Sequence, residues 1–292
     1  PQAQMQVIEA LQKHDHIQII LSTHSPNLAS KVKLENLILC NNDNAFPLGK
    51  AYTKLEEKDY IYLEKFLDTT KSNLFFAKGV ILVEGWAEEI LIPSLAKAIG
   101  IDLTAKGISI VNIGGVGFRH YANIFLRQNP PNMQIPVAII TDTDIPTYKK
   151  IIEKRNDETI TNYVKIDVVS ETLQKISEIK AKSTDNIKFY PAPEWTLEYC
   201  LFKSSKLSET FQSNAKLIHS IIFSDGKDFE LELARQLINQ GLKKTEIAYK
   251  IAHDLDAEIE KNLSLQTLKL DGTDTTDSIF YLIEAIRYVA NN

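Results

Sequence analysis

Several features that would place a protein early are scarce or missing in this sequence. Cysteine is nearly absent: Cys40 and Cys200 are the only two among 292 residues, far apart and in no metal-ligand spacing. That excludes a disulfide-stapled scaffold or a cysteine zinc site, and it suits small buried hydrophobes in a reducing, cytoplasmic compartment. No uninterrupted apolar run approaches the ~20 residues a membrane helix needs. The amino terminus, PQAQMQVIEA, carries neither an initiator Met nor a signal-peptide pattern. The expectation is a non-membrane chain that forms the carboxyl-terminal part of something longer. A G-x-x-x-x-G-K-[ST] phosphate loop is missing as well. Net positive charge is lacking too. The formal charge of −5 excludes a uniformly basic coat, but not a local basic groove beside acids that bound cations would neutralise.

What is present suggests two domains, on a prior of ~150 residues each. Hydrophobic residues make up 44%, enough for sizeable cores. Helical pattern is expected over 2–13, a strand over Ile17 to Leu21, a short helix over 27–33, and short strands around a turn within 34–55. Helical pattern returns over 57–68, and the polar joint 69–73 places a boundary, giving domains 1–72 and 73–292. Beyond it strands and helices alternate: strand 80–83, helix 86–98, strand 108–112, helix 118–128, strand 136–141. That alternation predicts a parallel α/β sheet. The charged stretch 146–186 reads as a surface helical insertion, 187–190 as a return to the sheet, and 206 onward as helical, with a polar loop over Asp271 to Asp277.

The chemistry concentrates where strands end. Val80-Ile-Leu-Val83 is aliphatic and charge-free, then stops at Glu84-Gly85, with Glu88 and Glu89 one helical turn later. Glycine there suits a tight strand-to-helix turn. The strand before Thr141 runs into Asp142-Thr-Asp144, and in extended chain the two aspartates would point the same way. If the two strands are neighbours, Glu84, Glu88, Asp142 and Asp144 meet at one sheet edge, where open α/β sheets bind ligands. Clustered carboxylates repel unless protons or cations neutralise them. Hard oxygen ligands of this kind suit Mg²⁺ or Mn²⁺. Taken singly, each acid also reads as a helix-capping group or a solvated helix face; Glu89 is assigned no role.

In order and spacing, Val83-Glu84-Gly85-x-x-Glu88, then Gly114-Gly115, then Asp142-x-Asp144 resemble the Toprim domain, the metal-dependent catalytic fold of topoisomerases, certain primases and OLD (overcoming lysogenization defect) family nucleases. Leu21-Ser-Thr-His24-Ser-Pro26 resembles the switch-histidine segment of ABC-type ATPases, which assigns His24 to nucleotide binding. The resemblance makes 1–72 the carboxyl-terminal fragment of such an ATPase domain. His14, His16, His120, His219 and His253 read as ordinary polar histidines. Glu194-Trp-Thr-Leu-Glu198-Tyr is similar to an OLD-family segment that supplies a further acidic metal ligand, here Glu198, which alone also reads as an acid at a helix start. Lys243-Lys244-Thr-Glu-Ile-Ala resembles the family's essential lysine at a helix start, with Lys244 chosen and Lys243 its rival.

An ABC-type ATPase tail joined to Toprim is the arrangement of OLD-family nucleases, among them the nuclease subunit of the Gabija anti-phage system. The resemblance implies a metal-dependent DNA endonuclease or nickase acting by two-metal phosphodiester hydrolysis. It also implies ATP coupling only in a full-length protein, and a role in anti-phage defence or DNA processing. Glu84, Glu88, Asp142, Asp144 and Glu198 would hold the ions, and Lys244 would assist the transition state. Implied partners are DNA, a second copy of the chain and a helicase-like defence protein. Lys149, Lys150, Lys154 and Arg155 are candidates for the phosphate backbone, or simply a solvated helix face. Topoisomerase and primase readings fail for want of a tyrosine-nucleophile domain or zinc modules. Two alternatives remain: a non-catalytic nucleic-acid or partner-binding Toprim module, and an RNA-processing Toprim nuclease.

Overall fold

In this computed structural model residues 2–11, 13, 16, 18–41, 43–115, 117–155, 158–261 and 275–292 are described. The amino-terminal part holds α1 (Gln2–Leu11), α2 (Pro26–Ala29), the hairpin of β1 (Ile38–Asn41) and β2 (Asn44–Pro47), and α3 (Glu57–Phe66). Then follow β3 (Gly79–Val83), α4 (Trp86–Ala98), β4 (Ile108–Asn112), α5 (Phe118–Ala122) and β5 (Val137–Thr141). A second hairpin, β6 (Tyr148–Arg155) and β7 (Glu158–Lys165), leads through α6 (Val169–Lys180) to β8 (Ile187–Pro191). The chain closes with α7 (Leu197–Lys203), α8 (Ser208–Ile218), α9 (Phe229–Ile238), α10 (Lys244–Glu260) and α11 (Phe280–Asn291).

Strands β4, β3, β5 and β8 form, in that order, one parallel sheet. Strand β3 is buried at every position, as its unbroken aliphatic run requires. Its alternation sends Ile81 and Val83 into a core built with α4 and the later helices, while Val80 and Leu82 enter a second core on the other face. That second core also takes Leu48, Leu63 and Leu74, so residues on both sides of position 72 share it. A buried polar knot lies across the same joint. The Asp59 carboxylate accepts hydrogen bonds from Glu56 N (2.8 Å) and Asn123 Nδ2 (3.2 Å), and meets His120 Nδ1 at 2.6 Å. After β3 the chain pairs β4 on one side, then crosses to place β5 on the other. The order therefore reverses between β3 and β5, a switch point that leaves a crevice beyond their carboxyl ends.

Several expectations are corrected. Residues 18–21 form no strand: Ile19, Ile20 and Leu21 are exposed and find no strand partner among the described residues, while Ile17 lies outside them. The stretch after Asp144 opens with a β-hairpin rather than a helix. Its β-branched residues, Ile151, Ile152, Thr159, Ile160, Thr161 and Val164, outweigh its charges once β6 and β7 can pair. Helix α5 stops at Ala122 and continues only as a 3-10 turn over Asn123–Phe125. Of the expected polar loop, positions 271–274 lie outside the described residues. Among the described residues no helix is long and apolar enough to cross a membrane.

Candidate active site

Glu84 follows β3 directly, and one of its carboxylate oxygens, Oε1, is doubly held. It accepts hydrogen bonds from the Thr141 hydroxyl and from Asp142 N (3.1 Å), both at the end of the neighbouring β5. Gly85 caps α4 in an extended conformation that other residues also adopt. A Cβ there would come within 3.3 Å of Glu88 Oε2, so the Glu88 carboxylate would have to give by a few tenths of an ångström. Backbone permissiveness matters instead at Gly114 and Gly115 after β4, where φ is +69° and +145°. Val116, inside that turn, lies outside the described residues.

The two aspartates diverge. Asp142 turns inward, its Oδ1 accepting from Leu197 N (2.9 Å) at the start of α7. Asp144 adopts the left-handed region with φ 55°, a conformation aspartate tolerates better than most residues. Its amide donates to Trp195 O (3.0 Å), and its side chain faces the exposed side. The extended alternation expected across 142–144 is therefore broken by the backbone itself. Asp144 remains close enough for its charge to act on Glu84.

Helix α7 brings the next acid. Thr196 caps it, accepting from Tyr199 N (3.4 Å), and so fixes Glu198 in the first turn, buried. Lys244, the first residue of α10, reaches Glu198 Oε2 at 2.8 Å. That contact is an ion pair with Glu198 on its buried side. Lys243 points elsewhere and pairs with Glu246 at 3.0 Å, both exposed. Its amide donates to His219 Nε2 (3.1 Å), tying down the turn that presents Lys244.

Electrostatics set these groups apart. Burial pushes the Glu88 carboxyl up to about 7, helped by the negative charge of Glu198. Burial also raises Glu84, against the hydrogen bonds from Thr141 and Asp142, and raises Asp142 well above the usual range, with Glu198 and Glu88 adding repulsion. Asp142 as a residue keeps some exposed surface while its carboxyl lies in the desolvated interior. For Lys244, burial works against the charge, but Glu198, Asp142 and Glu88 outweigh it and hold the ammonium raised. The cluster is thus short of positive charge, with Lys244 supplying one. Its oxygen donors suit a hard divalent cation in chemistry. In the positions shown, no three His, Cys, Asp or Glu side chains among the described residues are set to hold a metal ion. Uptake would require these carboxylates to turn.

Three participants had no clear signal in the sequence. Thr141 is one residue before an acid already singled out, but nothing marked its hydroxyl as a partner of Glu84. The Tyr281 hydroxyl, from α11, is buried without a hydrogen-bond partner among the described residues, and the charges of Asp142, Glu88 and Glu198 act on it. Arg119, after the glycine turn, lines a cleft that reaches Asp142 and Asp144. Glu89 has one buried oxygen without a partner among the described residues. His24 is exposed, its ring 6.3 Å from that of Phe76. His120 is stacked on Tyr62 at 4.0 Å as well as bonded to Asp59, and His14 lies outside the described residues. Lys149, Lys150 and Lys154 sit on a strand, β6, and are exposed; Lys150 bonds Asn239 Oδ1 at 3.1 Å.

A parallel sheet with acids beyond two adjacent strands and a glycine turn beyond a third is consistent with the Toprim fold that the sequence resemblance implies. Residues 75–144 match the family described as "Overcoming lysogenization defect protein-like, TOPRIM domain", so this segment is a Toprim domain of the OLD-like kind. The chain is similar to an "OLD nuclease" of Thermus scotoductus, 28% identical over 152 residues, covering 49% of this chain and 27% of that protein. It is also similar to an "Endonuclease GajA" of Bacillus cereus, 24% identical over 319 positions, covering 92% of this chain and 45% of that protein. The chain thus spans less than half the length of these curated relatives. Among solved structures, the C-terminal region of the Xanthomonas campestris pv. campestris OLD protein aligns with TM-score 0.42 and 19% identity, over 75% of this chain and 95% of that one.

Proposed function

We propose that this chain is the catalytic part of an OLD-type, metal-dependent endonuclease that cuts or nicks DNA by phosphodiester hydrolysis. The observation that carries the reading is the convergence of Glu84, Glu88, Asp142 and Glu198, from the ends of β3 and β5 and the starts of α4 and α7, around one lysine, where burial raises the carboxyls of Glu84, Glu88 and Asp142. Such a cost is retained at functional sites. The names of the relatives, a nuclease and an endonuclease, support the same reading. Glu84, Glu88, Asp142, Asp144 and Glu198 would hold Mg²⁺ or Mn²⁺, which when bound supply an activated water and stabilise the leaving oxygen. Thr141 and the Asp142 amide would fix the Glu84 carboxylate toward the crevice. Lys244, with its charge secured by Glu198, would oppose negative charge building on the phosphoryl group.

Residues 1–72 are proposed as the tail of an ABC-type ATPase domain, with His24 as its nucleotide-facing histidine, so that ATP acts only in a longer protein. A homo-oligomer and a helicase-like partner belong to the same proposal. Supercoiled DNA and an RNA of matched length are incubated with Mg²⁺ or Mn²⁺ and either the chain or its Glu84→Ala variant. Metal-dependent nicking of DNA that disappears in the variant is the expected result. Cleavage of RNA alone would reassign the substrate, and identical cleavage by both proteins would remove Glu84 from the chemistry.

A further inference from the structure

Beside the acid cluster runs a cleft of ≈ 670 Å³ between α5, the end of β5, α6 and β8. Thr141 to Asp144 form one end of it, so it opens directly on the candidate active site. Its floor is apolar, with Leu126, Ile179, Ile187 and Phe189. Its rim carries three cations, Arg119, Lys175 and Lys182. Lys175, Ile179 and Lys182 follow an i, i+4, i+7 spacing, which puts them on one side of α6 and its continuation, the two lysines roughly 10 Å apart along the axis. Both lysines are exposed, and neither has an acidic partner among the described residues. Arg119 is paired with Glu56 at 3.1 Å, on the exposed rim where such a pair is readily exchanged.

The cleft lining carries three cations against two acids, Asp142 and Asp144, a net +1 in a protein of formal charge −5, with the acids confined to the end that meets the candidate active site. A flexible anionic chain with apolar faces matches this combination: phosphates meet the rim, and bases or sugars lie against the floor. A cleft of this size admits a single strand of a few nucleotides rather than a whole duplex. We propose that Arg119, Lys175 and Lys182 form the track for the strand being cut, holding the phosphates next to the one presented to Glu84, Asp142 and Asp144. This rests on the nuclease reading above and adds to it which surface, and which form of the substrate, feeds the site. The exposed lysines of β6, by contrast, lie on the separate hairpin.

Binding of a fluorescein-labelled single-stranded oligonucleotide is measured by anisotropy, in Ca²⁺ and in EDTA, across a salt series. The chain is compared with Lys175→Gln/Lys182→Gln and with Lys149→Gln/Lys154→Gln, all exposed substitutions that leave both cores intact. Loss of two phosphate contacts should lower the slope of log K against log salt by about 1.4 and weaken binding roughly 10- to 100-fold at low salt. The β6 pair should change neither. Unchanged binding by the α6 pair, with loss in the β6 pair, overturns the track and leaves the nuclease reading standing. Binding by the unmodified chain in neither buffer, together with no cleavage of any nucleic acid, overturns both.

Discussion

The Glu88→Gln variant tests the physical basis of the site without relying on cleavage. Glu88 lies in the first turn of α4, buried, with its carboxyl pushed up to about 7 from an ordinary 4.5, first by burial and then by Glu198. Between pH 4.5 and 7 the folded protein keeps a proton that the unfolded chain has released. Folding stability therefore falls as pH rises through that window. The whole displacement corresponds to about 3 kcal/mol. Because Asp142, also raised by burial, is coupled to Glu88 by repulsion, one substitution should recover about 2 kcal/mol. Glutamine reproduces the shape of the protonated acid, so the variant should match the parent near pH 4.5 and exceed it by that amount at pH 8. Urea unfolding at both pH values, in chelator, measures the difference. Bound Mg²⁺ should stabilise the parent and narrow the gap, since it favours the folded state. A variant no more stable at pH 8 than at pH 4.5, relative to the parent, would refute the claim that this carboxyl is buried without compensation.

Lys244→Met leaves buried Glu198 without its cation and should cost about 2–3 kcal/mol at pH 8, less at pH 5, where Glu88 is protonated and repels Glu198 less. Lys243→Met, breaking only an exposed pair with Glu246, should stay within about 0.5 kcal/mol; thermal melts of the two variants check the contrast. Glu230 is shifted in the opposite direction. Burial opposes ionisation of Glu230, but hydrogen bonds from Lys165 (2.7 Å), Tyr199 (2.6 Å) and Lys203 (3.2 Å) outweigh it and hold the carboxyl at about 2. Its stabilisation is complete above pH 4.5 and lost as pH falls toward 2. Glu230→Gln should therefore cost about 1–2 kcal/mol at pH 7, after allowance for the exposed lysines, and almost nothing at pH 2. Equal losses at both pH values would refute that assignment.

Local pattern carried the sheet well. Val80 to Val83 and Pro136 to Thr141 read as covered strands because no charge interrupts them, and both occur within a residue of the expected bounds. Glu198 and Lys244 were legible at helix starts only through resemblance; their meeting joins positions 46 residues apart, which no local periodicity encodes. The hairpin of β6 and β7 was hidden because the paired Lys149-Lys150 and Ile151-Ile152 satisfy a charged-helix pattern as readily as a strand until a pairing partner decides. Asp144 misled for another reason. Period-two reasoning presumes extended backbone, and this residue leaves it. The cleft was out of reach, since Arg119 and the lysines of α6 converge through the order of strands, not through their own neighbours.

The core that spans position 72 has a practical consequence for dissecting the protein. Leu48 and Leu63 are fully buried against the same face of the sheet that holds Val80, Leu82 and Val137. A gene trimmed to begin after residue 72 would present that face to water as a sticky plane of aliphatic side chains. Such a fragment invites clumping or self-pairing, and any inactivity it displayed would speak of a torn interior more than of a missing regulator.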